Sequence, residues 1–124
     1  MTNGSPLKTY DELATNLLSV DRGIFATFLS DKTGRILAES SVRAENAPIF
    51  PQLPFEKSPI PALVASILKE GETFFGKPEF TASAYERMTL IVVPSRTKNI
   101  VAALALKPET DMKNVVAGVR KILE

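Results

Sequence analysis

The stretch GETFFGKP, residues 71–78, contains the residue types of a phosphate-binding loop, because it matches the pattern G-x-x-x-x-G-K up to its lysine. A working loop follows a strand, opens a helix, and carries Ser or Thr after the lysine to hold Mg²⁺. Here a helical apolar pattern precedes the motif, a strand pattern follows it, and Pro78 occupies the hydroxyl position. We therefore interpret the stretch as a helix end followed by a connecting turn.

The sequence offers few candidates for acid–base or nucleophilic chemistry. It has no His and no Cys, which excludes thiol catalysis, disulfides, zinc sites of the Cys/His type and the commonest general base near neutral pH. Acid–base catalysis needs two carboxylates held across a pocket in different environments. Nothing marks such a pair among Asp11, Glu12, Asp21, Asp31, Glu39, Glu45 and the other acids. We expect a protein that is not an enzyme and has no catalytic residues, metal or cofactor.

A proline-rich stretch, APIFPQLPFEKSPIP at residues 47–61, is compatible with a linker, a ligand for another protein, or part of one fold. It contains P-x-x-P at residues 48–51 and 51–54, a pattern that suits a polyproline II ligand. A displayed ligand is usually polar, whereas this stretch carries four large apolar side chains suited to the domain's own surface: Ile49, Phe50, Leu53 and Phe55. We expect an ordered extended loop at about residues 42–58.

Length and charge favour one ordinary globular domain. A chain of 124 residues can bury a sizeable core unaided, and 15 basic against 14 acidic residues lack the excess expected of a nucleic-acid binder. No apolar run approaches the roughly 20 residues that span a bilayer. We expect a cytoplasmic protein with no transmembrane segment, no nucleic-acid partner, a flexible tail at residues 1–8 and a single domain at residues 9–124.

Apolar periodicity predicts three helices. The first begins after Thr9 as N-cap, with Glu12 three residues later, and buries Leu13, Leu17 and Val20. The second, residues 60–75, places on one stripe Ile60, Leu63, Val64, Ile67, Leu68, Phe74 and Phe75. The third uses Met112, Val115, Val116, Val119, Ile122 and Leu123.

Two glycines lie within or directly after the second predicted helix. Gly76 suits the position just after its end. Gly71 lies inside it at a cost of about 1 kcal/mol relative to Ala. Gly71 is either tolerated there or allows another backbone to approach closely.

Extended patterns predict five strands. GIFATFLSDKTGRILAESS indicates a hairpin, with Asp31 and Gly34 in its turn, and EFTASAY, RMTLIVVP and NIVAALALK follow as three strands. The last two are apolar runs typical of central strands. The order predicts an α+β, three-layer α/β/α fold whose five-stranded, mainly antiparallel sheet has helices on both faces.

This order of elements, together with GIFATFLSDKTGRILAES, resembles the Roadblock/dynein light chain superfamily, whose fold is profilin-like. The resemblance covers residues 10–123 and rests on Gly23, Ile24, the strand at residues 25–30, Asp31, Gly34, Ile36, Leu37 and Ala38. The chain departs from the family in a longer, more proline-rich connection at residues 41–58. Phe25 and Phe28 are also bulkier than the family's common small residues.

The resemblance implies a dimeric, non-enzymatic interaction module. Roadblock domains typically dimerise through the third strand and second helix, here residues 79–85 and 60–75, and the dimers bind and regulate or scaffold small Ras-like GTPases. The implied partners are a second copy or a paralogue, and a small GTPase. Any arginine supplied to the GTPase would be Arg43, Arg87 or Arg96. The predicted dimer interface comprises Phe80, Thr81, Ala82, Ser83, Ala84, Ala65, Leu68, Gly71 and Phe75.

Two alternatives remain open from the sequence. The same layout resembles PAS-like and profilin-like sensor domains, in which a small ligand binds between sheet and helix. Such a pocket would be lined by Phe25, Phe28, Phe74 and Phe75. The third strand would be an edge, and FTASA carries no charge or proline to protect it, so the proline-rich loop could instead shield it.

Overall fold

The computed structural model describes residues 9–33, 35–42 and 60–124, without the side chains of residues 60–66 and 68. The elements in this part of the chain are α1 (Tyr10–Leu18), β1 (Ile24–Ser30), β2 (Ile36–Ser41), α2 (Ile60–Phe75), β3 (Thr81–Ala84), β4 (Thr89–Pro94), β5 (Val101–Leu106) and α3 (Met112–Leu123). Their order confirms the predicted α+β fold. The predicted tail, the proline-rich loop and Gly34 lie outside the described residues.

The sheet has the strand order β2-β1-β5-β4-β3, and every pair of neighbours is antiparallel. All residues of β1, β4 and β5 are buried, as expected for strands covered on both faces. The predicted hairpin is confirmed as β1 and β2. β3 lies at one edge, as predicted, and β2 lies at the other.

Two helices cover one face of the sheet. Leu17 of α1 and Val119 of α3 pack in one core cluster with Ile91 and Leu104 of the sheet. Burying side chains of this size contributes about 1.5–3 kcal/mol each. The buried Thr27 hydroxyl donates a hydrogen bond to the carbonyl of Ala14 in α1 at 2.7 Å, so this polar group keeps a partner inside the core.

The opposite face carries a second cluster formed by Phe28, Val92, Val101 and Ala103. Lys69 and Glu72 of α2 line the same cavity as Val101, which places α2 on this side. The predicted three-layer arrangement, with helices on both faces of the sheet, is therefore confirmed.

Local hydrogen bonds explain where the helices begin and end. The Thr9 side chain accepts from the Glu12 amide at 3.1 Å, which caps α1 as predicted. At α3, the Asp111 carboxylate accepts from the Lys113 amide at 3.1 Å. α2 ends before Gly76, whose φ of 83° suits glycine, confirming the predicted helix end.

Part of the apolar stripe on α2 is exposed. Three residues of the predicted apolar stripe, Ile67, Phe74 and Phe75, are 60%, 81% and 87% exposed. Ile67 and Phe74 are seven residues apart and share one helix face, whereas Lys69 and Glu72 line the sheet-side cavity. The exposed apolar residues of α2 therefore lie on a different side of the helix from the residues that line the cavity.

Candidate functional site

Exposed apolar side chains are concentrated at the end of α2 and around β3. In the part of the chain that the structure describes, seven large hydrophobic residues are exposed, and five of them fall between positions 67 and 85. Single exposed hydrophobics are normal, but a concentration of them marks an interaction surface. We call these five residues the α2–β3 surface: Ile67, Phe74, Phe75, Phe80 and Tyr85.

β3 is an edge strand, with no strand on its outer side among the described residues, and it lies beside this surface in sequence. The Tyr85 amide donates to the Met88 carbonyl at 2.7 Å, and the register continues with Ser83 opposite Leu90. Because antiparallel pairing alternates, the backbone groups of Ala82 and Ala84 point away from β4, towards the open edge. Ala82, Ser83 and Ala84 are exposed. This edge can accept another strand.

β3 is shorter than the predicted residues 79–85, and the reason lies at Glu79. Its backbone carbonyl accepts from Arg120, and its carboxylate pairs with Arg96 and also lies 3.7 Å from the Arg120 guanidinium. These contacts hold Glu79 outside the ladder. The strand begins two residues later, at Thr81.

Sequence reasoning found part of the α2–β3 surface. Of the predicted interface residues, Phe75, Phe80, Ala82, Ser83 and Ala84 are exposed, and Gly71 and Thr81 are half-buried. Ala65 and Leu68 lie in α2, but their side chains fall outside the described part. The prediction omitted Ile67, Phe74 and Tyr85. The available signal was the spacing of Ile67, Gly71 and Phe74, which defines a face of its own.

Gly71 has open space on its side-chain side. A Cβ atom there would meet only the Phe75 ring, at 3.7 Å, which is ordinary contact. Nothing within the described chain therefore requires glycine at this position. Of the two explanations for Gly71, close approach of another backbone is not made by any of the described residues.

Comparison with solved structures of known proteins identifies the fold. No family model and no curated protein sequence matches the chain. Among solved structures, MglB with tetrameric arrangement matches with a TM-score of 0.70 and 19% identity, covering 91% of this chain and 81% of that chain. The Roadblock/LC7 domain from Streptomyces avermitilis matches with a TM-score of 0.70 and 11% identity, covering 94% and 92%. The chain has the Roadblock/LC7 fold.

The Roadblock/LC7 fold confirms the structural side of the sequence resemblance. LokiProfilin1, solved in complex with rabbit actin, matches with a TM-score of 0.52 and 13% identity, covering 90% of this chain and 89% of that chain. The wider profilin-like character of the fold is thereby confirmed as well. In the described residues, no helix combines the length and apolar character needed to cross a membrane.

The phenylalanine pocket expected for a ligand sensor is not formed in this Roadblock-fold chain. Phe25 and Phe28 are buried within the sheet, in two separate clusters. Phe74 and Phe75 are exposed on α2, with ring centroids 6.3 Å apart. That prediction was wrong, because the exposed pair turns away from the sheet that buries the other two rings.

Glu124 binds the turn between β4 and β5. Its carboxylate accepts hydrogen bonds from the Ser95 hydroxyl at 2.8 Å, the Arg96 amide at 3.0 Å and the Thr97 hydroxyl at 3.1 Å. Burial alone would raise the pKa of Glu124, but these hydrogen bonds lower it to about 2. The Glu124 carboxylate is therefore ionised at neutral pH, and in this form it holds the β4–β5 turn.

Asp31 plays a similar part in the hairpin. The Asp31 carboxylate accepts hydrogen bonds from the Thr33 hydroxyl at 2.6 Å and from the Arg35 amide at 3.0 Å. These bonds lower the pKa of Asp31. The predicted turn role of Asp31 is confirmed. Across the described ranges, no group of three or more acidic side chains is arranged to hold a metal ion.

The motif that resembled a phosphate-binding loop is the end of α2, as interpreted from the sequence. Gly71 lies within the helix, and Gly76 follows its last residue. Among the arginines considered for a GTPase, Arg87 and Arg96 are exposed, and Arg96 is bound to Glu79. Arg43 lies outside the described residues.

Proposed function

We propose that this Roadblock-fold chain is a dimeric, non-enzymatic interaction module that binds a small Ras-like GTPase and regulates or scaffolds it. The observation that carries the proposal is the open β3 edge next to the exposed apolar residues at the end of α2. The choice of a GTPase follows from the resemblance of the sequence to the Roadblock superfamily. The protein would act in the cytoplasm, where small GTPases are found.

A second copy of the chain would satisfy both parts of the α2–β3 surface. The β3 strand of a second copy, running antiparallel, would form backbone hydrogen bonds with the outward amide and carbonyl groups of Ala82 and Ala84. Two-fold symmetry would bring the same face of α2 from each copy together. Burying Phe75 there would contribute about 1.5–3 kcal/mol per copy.

A non-enzymatic role agrees with the chemistry of the described side chains. The two carboxylates with shifted pKa values, Asp31 and Glu124, are both committed to turns. Any effect on GTP hydrolysis would come from repositioning the GTPase's own groups, or from a supplied arginine such as the exposed Arg87.

The first experiment tests dimerisation. Phe75→Lys places a charge in the α2–β3 surface, whereas Thr73→Lys places the same charge on another exposed side of α2. Light scattering coupled to size exclusion should give a dimer for the wild type and for Thr73→Lys, and a monomer for Phe75→Lys. A wild-type chain that stays monomeric at high micromolar concentration would contradict the proposal.

The second experiment tests the partner. Tagged protein is used to capture proteins from its native lysate in GDP and in a non-hydrolysable GTP analogue, followed by mass spectrometry. We expect one small GTPase, enriched in one nucleotide state and lost with Phe75→Lys but retained with Thr73→Lys. Recovery of no GTPase in either state would reject this partner class.

A further inference from the structure

A cavity of about 400 Å³ lies on the α2 face of the sheet, away from the exposed apolar residues. It is bordered by the β1–β2 turn, the second half of α2 with the residues after it, and the β4–β5 turn. Four cationic side chains line it, one or two from each of these segments: Lys32, Lys69, Lys77 and Arg96. Among the described residues of the lining, Glu72 is the one acidic side chain.

The described lining of the cavity is more basic than the chain as a whole. The whole chain is nearly balanced, with 15 basic and 14 acidic residues, whereas the cavity lining has four basic residues and one acidic residue. Arg96 is paired with Glu79. The ion pairs of the described residues do not include Lys32, Lys69 or Lys77. Like charges gathered around one space repel each other, and an anion bound there would relieve that repulsion.

The cavity also offers apolar surface to the carbon part of a ligand. Pro94 and Val101 are buried at its base, and Pro78 is half-buried beside them. A volume of about 400 Å³ falls within the roughly 300–1,000 Å³ typical of small-molecule sites. An apolar base with cationic side chains around it suits an organic molecule that carries negative charge.

We propose that this basic cavity binds a small organic phosphate. Lysine ammonium groups bind phosphate as point charges without needing a fixed planar geometry. Lys77, the lysine of the GETFFGKP stretch, contributes here through its position after α2 and not through a phosphate-binding loop. Lys69 and Glu72 lie on a different side of α2 from Ile67 and Phe74, so contacts of a second copy with those two residues leave this side of the helix uncovered.

The test uses ADP and inorganic pyrophosphate without Mg²⁺ as probes. Binding is measured by titration calorimetry and by thermal stabilisation, at low and high salt. We compare Lys69→Gln/Lys77→Gln with the charge-matched control Lys113→Gln/Lys121→Gln, whose two lysines are exposed on α3, on the opposite face of the sheet. Wild type and control should bind at least one probe, with affinity that falls as salt rises. The cavity variant should bind at least tenfold more weakly.

Vesicles distinguish a free phosphate from a lipid headgroup. Co-sedimentation with phosphoinositide vesicles, but not phosphatidylcholine vesicles, that is lost in Lys69→Gln/Lys77→Gln would identify a headgroup as the source of the phosphate. Binding of soluble probes alone would identify a free organic phosphate.

The proposal is overturned if no probe or vesicle binds the wild type, or if both double variants lose binding equally. Lys32→Gln provides an independent variant from another segment of the lining and should also weaken binding. All variants should keep the oligomeric state of the wild type, so failure of the phosphate site and failure of the proposed dimer are distinguishable.

Discussion

At the scale of single residues, Glu124 joins the end of α3 to the β4–β5 turn through one carboxylate. Glu124→Gln should lower the free energy of unfolding at neutral pH by about 1 kcal/mol, because charged hydrogen bonds are lost while the amide can still accept one. The side chain is 26% exposed, and solvent screening keeps the effect at this size. Urea unfolding measures it, with the exposed Glu86→Gln as control.

The pH dependence of Glu124 has a definite sign. Its pKa is about 2 in the folded chain against an ordinary value of 4.5, so the unfolded state binds more protons between these values. The stabilisation is fully present above about pH 4.5 and is lost as pH falls towards 2. Wild type should therefore lose more stability over this range than Glu124→Gln. Parallel pH profiles for the two proteins would contradict the assignment.

Gly118 in α3 is a residue whose small size is required by a neighbour. A Cβ atom there would lie 2.6 Å from Val20 Cγ1, and overpacking of this kind costs about 1–3 kcal/mol. Gly118→Ala should therefore destabilise the protein despite a gain of about 1 kcal/mol in helix propensity. Chemical denaturation of the single variants and of Val20→Ala/Gly118→Ala checks this. The double variant should be more stable than the sum of the two single effects predicts, and simple additivity would refute the contact.

Residue roles were predictable from the sequence where partners are close in the chain. Thr9 with Glu12 and Asp31 with Arg35 are separated by three and four residues, so local patterns identify them. Glu124 and Arg96 are 28 residues apart. Only the packing of α3 along the sheet brings them together, so no local pattern could indicate the pair.

At the scale of elements, β3 allows a test of edge pairing that leaves the sheet intact. Ala82→Pro removes an amide that points away from β4, so the ladder to β4 keeps its hydrogen bonds. We expect a folded monomer by circular dichroism and sedimentation. Ala82→Thr keeps the amide and favours extended backbone, so it should remain dimeric. A dimer that survives Ala82→Pro would show that β3 does not form the interface.

The bounds of α2 were predictable from the sequence, but the surface against which its apolar residues pack was not. Apolar spacing and Gly76 gave the bounds of Ile60–Phe75 that the structure shows. A stripe of apolar residues indicates that a surface will be buried, but it does not say whether the same chain or a second one covers it. For this reason the apolar pattern alone does not separate Phe74 and Phe75 from core residues. The basic cavity was missed similarly, because its cations come from three separated segments.

At the scale of the whole molecule, the proposed dimer has a predicted length. Joining two five-stranded sheets through β3 puts nine strand spacings between the two β2 strands, or about 43 Å at roughly 4.8 Å each. The chain has no Cys, so Ser41→Cys, at the exposed end of β2, accepts a single spin label. Dipolar spectroscopy should give a separation of about 40–50 Å, which disappears in a Phe75→Lys background. A short separation would place β2, and not β3, at the interface.

The position of Tyr85 gives this protein an optical reporter of its own. The chain has no tryptophan and two tyrosines, Tyr10 and Tyr85, so excitation at wavelengths that phenylalanine does not absorb gives fluorescence from the two phenol rings. Tyr85 follows β3 directly, whereas Tyr10 opens α1 at a different part of the molecule. In a Tyr10→Phe background, emission and anisotropy would come from the ring next to the open strand edge. Association could then be followed during dilution without attaching any dye.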